Sequence, residues 1–167
     1  MITCKTKRLN NKAVLPTFGS ADAACADLYA CTDHDFISIA PHSTVKIGTG
    51  LAMEIPCGYQ GKILARSGVS SNRYLRPANC VGTIDSDYRG EIIVALHNDS
   101  DMNQYIENGE RIAQIEIVKK LDFGFVEADE LSKTERGDGG FGSSGTKEVK
   151  KKKQYKEIEL DDEFWSM

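Results

Sequence analysis

The sequence predicts an all-β fold, a jelly-roll-like barrel or sandwich of short strands. Three observations carry this reading. Short runs alternate apolar with polar or small residues, Gly, Pro and Asn punctuate them, and no 3.6-residue period is sustained before the C-terminal stretch. No internal repeat is visible.

Residues 1–20 read as an extended lead-in, with Leu15-Pro16-Thr17 and Gly19-Ser20, that could lie against a neighbouring surface. Ala21 to Ala30 is rich in small residues, which favours helix. Gly19 and the polar residues near Thr32 leave room only for a short strand or turn. Phe36–Ile39 and Thr44–Ile55 alternate with period two and predict half-buried strands, with turns at Pro41 and Pro56-Cys57-Gly58. Tyr59–Ala65 predicts another strand, and Ser70–Tyr74 a turn or two of helix before Pro77. Val81–Ile84 and Ile92–Leu96 flank a polar turn and predict a β-hairpin. A polar loop, Asn98 to Gln104, precedes a last strand over Arg111–Val118.

After Phe123 the composition changes. Arg136–Gly145 holds five glycines in ten residues, a stretch whose ordering entropy forbids a stable element on its own. We therefore divide the chain into a β domain (1–135), a Gly-rich arm (136–145) and a charged, disordered extension (146–167). That extension carries Lys150–Lys153 near its start and Asp161-Asp162-Glu163-Phe164-Trp165 near its end. It reads as a solvated charged tail, or as a docking segment for a protein partner through its aromatic tip.

Composition bounds the function. At 167 residues the chain is one ordinary domain, and no apolar run is long enough to span a membrane. The start shows no secretory apolar stretch, and five scattered cysteines without a CxxC pair favour reduced thiols. Both point to a cytoplasmic or nuclear setting. Three histidines without a Cys/His cluster argue against a zinc enzyme. From Lys147 onward six Lys balance six acidic residues, so the net charge of −4 belongs to the body. A general nucleic-acid binder carries a basic excess instead.

The chemistry concentrates in Gly82-Thr83-Ile84-Asp85-Ser86-Asp87-Tyr88-Arg89-Gly90, where carboxylates, a Tyr and an Arg crowd one turn. A solvated hairpin tip would need only one Asp or Gly. Asp85 is the candidate general base, because hydrolysis of a phosphoanhydride needs a water deprotonated and aimed at phosphorus. Gly137, Gly139 and Gly142 spell GxGxxG, but no strand–turn–helix surrounds them, so a dinucleotide site is rejected.

Five motifs occur in order: Asp27-Leu28-Tyr29-Ala30, Arg66-Ser67-Gly68, Gly82 to Gly90, Gly109-Glu110-Arg111-Ile112-Ala113-Gln114, and Arg136 to Gly145. Together they resemble the motifs of the trimeric deoxyuridine triphosphatase (dUTPase) family, over roughly Ala21 to Gly145. The resemblance implies a Mg²⁺-dependent hydrolysis of dUTP to dUMP and diphosphate. It implies that Asp85 activates the attacking water, and that Tyr88 lies against the deoxyribose and excludes a 2′-hydroxyl. Asn79, Gly82, Thr83, Ile84 and Ile93 would surround uracil, largely through main chain. Arg66, Ser67, Gly68 and Gln114 would serve the phosphates, and Asp27 would hold a water of the Mg²⁺. Arg111 would be structural. In the arm, Phe141 and Gly142 would cover the base while Arg136, Ser143 and Ser144 reach the outer phosphates. The family further implies a homotrimer with sites shared between subunits, and no direct nucleic-acid or membrane partner.

Cys25 stands where the first motif commonly has Gly, Ala65 where Pro is frequent, and Asp138 adds a negative charge to the arm. None removes a group that the chemistry needs. Two other readings stay open at this level: a dCTP deaminase-like enzyme of similar fold, and a regulatory protein that acts through its tail.

Overall fold

The structure, a computed structural model, describes residues 2–140. They fall into two units, Met1–Gly124 and Phe125–Met167. The first holds every strand of the described residues: β1 (Lys5–Arg8), β2 (Thr17–Phe18), β3 (Ala26–Tyr29), β4 (Phe36–Ile39), β5 (Thr44–Glu54), β6 (Tyr59–Leu64), β7 (Leu75–Pro77), β8 (Gly82–Ile84), β9 (Glu91–Asn98), β10 (Gln104–Glu107) and β11 (Arg111–Lys119). One short helix, α1 (Ser67–Arg73), stands between β6 and β7.

These strands form two antiparallel sheets and a ribbon. One sheet has the order β1-β5-β9-β7, the other β2-β3-β11-β6-β8, and β10 pairs with β4. Jelly-roll folds divide short strands in this way. The core is aliphatic: Leu28, Ile47, Leu51, Ile92, Leu96 and Ile112 are fully buried. Strand β9 shows why the pattern works. Ile92, Val94, Leu96 and Asn98 point inward and alternate with Glu91, Ile93, Ala95 and His97. Buried Asn98 is satisfied, donating to the carbonyls of Ile39 (3.0 Å), Ala40 (3.2 Å) and Met102 (2.8 Å). It thereby ties the β4 end of the ribbon to β9.

Several expectations are corrected. The runs flanking Asp85 are not a hairpin: β8 pairs with β6 and β9 pairs with β5 and β7, so the turn passes from one sheet to the other. The two runs are adjacent in sequence, but each finds its hydrogen-bond partners elsewhere. Residues 1–20 contain two strands that pair within their own chain, β1 with β5 and β2 with β3. The half-buried pattern holds for β5 only to Gly48; Thr49 to Met53 are all buried. There the register with β9 shifts, and the extra residues turn both faces of the strand inward. The polar loop after Asn98 ends in β10, and the helix begins three residues earlier than expected, at Ser67.

The second unit shows, among its described residues, irregular chain with one short turn and no helix or strand. Gly137 has a positive φ of 54° and its N–H donates to Thr134 O at 3.2 Å, while Arg136 Nε donates to Gly139 O at 2.8 Å. No helix among the described residues is long and apolar enough to cross a membrane.

Candidate active site

Strand β8 lies at the edge of its sheet, so one side of its main chain has no strand partner among the described residues. Gly82 keeps this edge tight: a Cβ there would lie 3.2 Å from Ile63 Cβ and 3.3 Å from Asn79 Nδ2. The chain leaves β8 into a turn closed by the Tyr88 N–H donating to Asp85 O at 3.2 Å. Arg89 braces it, its Nη1 donating to Ser86 O (2.7 Å) and Tyr88 O (3.0 Å). The arginine in this crowded turn is thus structural.

The Tyr88 ring folds back over Gly90, where a Cβ would come within 2.6 Å of Cζ. Its hydroxyl donates to the carbonyl of Glu91 at 3.0 Å. Thr83, Ile84, Asp85, Tyr88, Glu91 and Ile93 together line a cleft of about 170 Å³. Sheet edge, carboxylate and aromatic ring therefore meet at one small opening. A larger cavity of about 580 Å³, lined by Ile2, Cys4, Leu15, Phe18, Met53 and Ile117 among others, lies elsewhere. It is apolar and has no cation or carboxylate, so the smaller cleft is the chemical one.

A second cluster forms across β3, β11 and β6. Register sets Asp27 opposite Gln114 and Gln114 opposite Leu64, so three strands present one row. Asp27 is nearly buried and both its oxygens are taken: Arg66 Nε donates to Oδ1 at 2.6 Å and Arg111 Nη1 to Oδ2 at 3.2 Å. Paired guanidinia of this kind make a buried carboxylate tolerable. Gln114 Nε2 donates to Ala65 O at 3.1 Å, which holds the chain just before Arg66. Ser67 and Gly68 then open α1 at the surface.

The two clusters do not meet within one chain. Ile84 pairs with Gly61, which sets Asp85 opposite Gln60, six residues before Arg66 along the same extended segment. Over the strand itself, Gln60 to Leu64 at ~3.3 Å per residue, the offset is already about 13 Å. Arg136 belongs to the second unit, and Phe141, Gly142, Ser143 and Ser144 lie outside the described residues.

The dUTPase family model matches residues 11–145, most of the chain. The chain belongs to the dUTPase family. A deoxyuridine 5′-triphosphate nucleotidohydrolase of Hydrogenobaculum is 48% identical over 141 residues, covering 84% of this chain and 96% of the relative. The dUTPase of Staphylococcus bacteriophage 80alpha, solved with dUpNHpp, superposes with a TM-score of 0.77 at 30% identity, covering 86% of this chain and 98% of that one. A mutant dUTPase of phage phi11 of S. aureus, whose structure concerns a structural Mg(II) ion, gives a TM-score of 0.68 at 24% identity over 77% of this chain and 98% of that one.

What family chemistry requires of a metal can be set against the side chains. Among the described residues no group of three or more His, Cys, Asp or Glu is arranged to hold an ion. Asp27 gives one lone pair of each oxygen to a guanidinium and keeps the others. This donor set fits a Mg²⁺ whose inner shell is phosphate and water, and does not fit one caged by protein carboxylates.

Motif matching left two positioning contacts unread. The Asp27–Arg66 pair joins the first motif to the second, and Glu91 reaches across to β5, where its carboxylate accepts the Gly50 N–H at 2.7 Å. Opposite charges in two motifs hinted at the first. Nothing local to Glu91 signals the second.

Proposed function

We propose that Asp85 is the general base of this enzyme and Tyr88 its sugar filter. The enzyme hydrolyses dUTP to dUMP and diphosphate, which limits uracil incorporation into DNA and supplies dUMP for thymidylate. The observation that carries our reading of the site is the cleft in which Asp85, Tyr88 and the unpaired edge of β8 come together. Uracil is read by main chain: Gly82, Thr83 and Ile84 offer it N–H and C=O groups as a neighbouring strand would, with Asn79 and Ile93 at its borders. A cytosine amino group would leave buried acceptors and donors mismatched, which discriminates strongly. An apolar pocket rejects an added hydroxyl only by ~10², so Tyr88 acts by direct contact with C2′. Asp85 takes a proton from water as it attacks the α-phosphorus, for a contribution of ~10²–10⁴ in rate.

Arg66, Ser67, Gly68 and Gln114 bind the polyphosphate, with Arg66 held in place by Asp27. Asp27 would hold a water of a Mg²⁺ bound with the nucleotide, and that ion would supply neutralisation of phosphate charge. Arg136, Phe141, Gly142, Ser143 and Ser144 close the site from the arm and exclude solvent. Because register sets Asp85 beside Gln60 while Arg66 lies beyond the far end of β6, each site draws them from two copies, and a closed homotrimer supplies three such sites.

The test compares dUTP, dTTP, dCTP and UTP with and without Mg²⁺, following diphosphate and ammonia. Diphosphate from dUTP alone is expected, and Asp85→Asn should lower kcat ~10²–10⁴-fold with dUTP still bound. Ammonia released from dCTP, or full turnover by Asp85→Asn, would overturn the assignment.

A further inference from the structure

The turn that carries Asp85 and Tyr88 bridges two sheets, and a turn in that position needs an anchor on the sheet it enters. Strand β5 runs beside β9 with Gly48 opposite Ile93 and Ala52 opposite Glu91, so β5 spends four residue steps where β9 spends two. One side chain from β9 reaches into the resulting bulge. The Glu91 carboxylate accepts the Gly50 N–H at 2.7 Å and occupies the space a Gly48 side chain would need, with Cδ 3.1 Å from that Cβ position. Deeper in the same bulge Thr49 Oγ1, fully buried, donates to the Ile92 carbonyl at 2.7 Å. Glu91 thereby has its side chain locked into β5 while its own carbonyl receives the Tyr88 hydroxyl at 3.0 Å. Among the described residues it enters no ion pair.

From this we infer that Glu91 is a positioning residue for substrate selection: by plugging the β5 bulge it fixes the carbonyl that orients Tyr88, and so sets the clearance at C2′ of the sugar. The inference rests on the reading of Tyr88 given above and extends it to a residue that need not touch the nucleotide. Its role is that of a hydrogen-bond acceptor of particular length and shape, not of a charge. An amide oxygen at the same place satisfies Gly50 equally in kind, though a carboxylate is the stronger acceptor.

The experiment measures kcat/KM for dUTP and UTP in the full-length wild type, Glu91→Ala and Glu91→Gln, with thermal melts beside the kinetics. Glu91→Ala should lose about tenfold of the dUTP-over-UTP preference, the size of one charge-assisted hydrogen bond. Glu91→Gln should restore most of it. Thr49→Val removes the deeper staple without touching Glu91 and should lower the melting temperature while the preference stays near wild type. An unchanged preference in Glu91→Ala, whatever its melting temperature, would reduce Glu91 to a structural residue. Equal damage from Ala and Gln would make its charge the active feature. Either result overturns this inference alone, whereas a wild type without dUTP turnover would overturn the reading of the site first.

Discussion

At the scale of single residues, the bulge of β5 shows how little freedom some positions have. Gly50 has φ +66°, and a Cβ there would sit 2.8 Å from both Ala13 Cβ and Cys31 Sγ. Left-handed backbone and overpacking act together, so Gly50→Ala should cost about 2–4 kcal/mol. Urea unfolding should show a lower midpoint with an unchanged slope. A variant as stable as wild type would mean that Ala13 and Cys31 yield easily. Thiols respond to the same packing: burial raises the Cys31 pKa, and Glu91 and Asp33 add to the rise. Asp27 makes a related point about carboxylates. Its double arginine pairing explains how a nearly buried acid stays in the first motif whether or not a metal is near.

Elements are held by contacts between them more than by their own propensity. Strand β7 has only three residues, and beyond its ladder it is stapled by Arg76, whose Nε and Nη2 donate to Asp99 at 2.7 and 3.1 Å. That hydrogen-bonded arginine holds the Asp99 carboxyl below the usual carboxylate range, with His97 and His42 adding smaller pulls the same way. A lowered folded pKa stabilises the fold at pH above the unfolded value and is lost as pH falls through the folded one. Asp99→Asn should therefore melt below wild type at neutral pH, and the gap should close below about pH 4. Melting curves across acid pH would check this, and a gap that persists in strong acid would mean that the amide disturbs β7 sterically.

At the scale of the whole molecule, register along β6 separates Asp85 from Arg66, so the proposal of sites shared between copies predicts how mixed variants behave. Ser67→Asp places a negative charge at an exposed helix start, where the fold accepts it but a triphosphate is repelled. Mixed and reassembled with the equally inactive Asp85→Asn, it should regain activity. Random pairing leaves about a quarter of the shared sites with both native groups. Hydrolysis rates of the mixture against the separate variants test the point. No recovery would place both groups of each site in one chain.

Strands with clean alternation were legible from the chain alone. Strand β9 buries every second residue along its length, and such a pattern needs no knowledge of partners. Very short strands such as β2, β7 and β10 were not, because their stability comes from ladders to distant segments. The crowded turn does not close the expected hairpin, since nearness in sequence does not choose a hydrogen-bond partner. The five ordered motifs were enough for the family, which the match over residues 11–145 bears out. They named Asp27 and Arg66 separately and said nothing of their contact.

Residue types and their order thus determined the class of fold, the family and the chemical groups on hand, because alternation and motif chemistry are local properties of a chain. Only the tertiary structure decided which groups stand together. Pairing β8 with β6, and β9 with β5, sets the Asp85 cleft between two sheets and at the opposite end of β6 from Arg66. Long-range ladders alone carry that information.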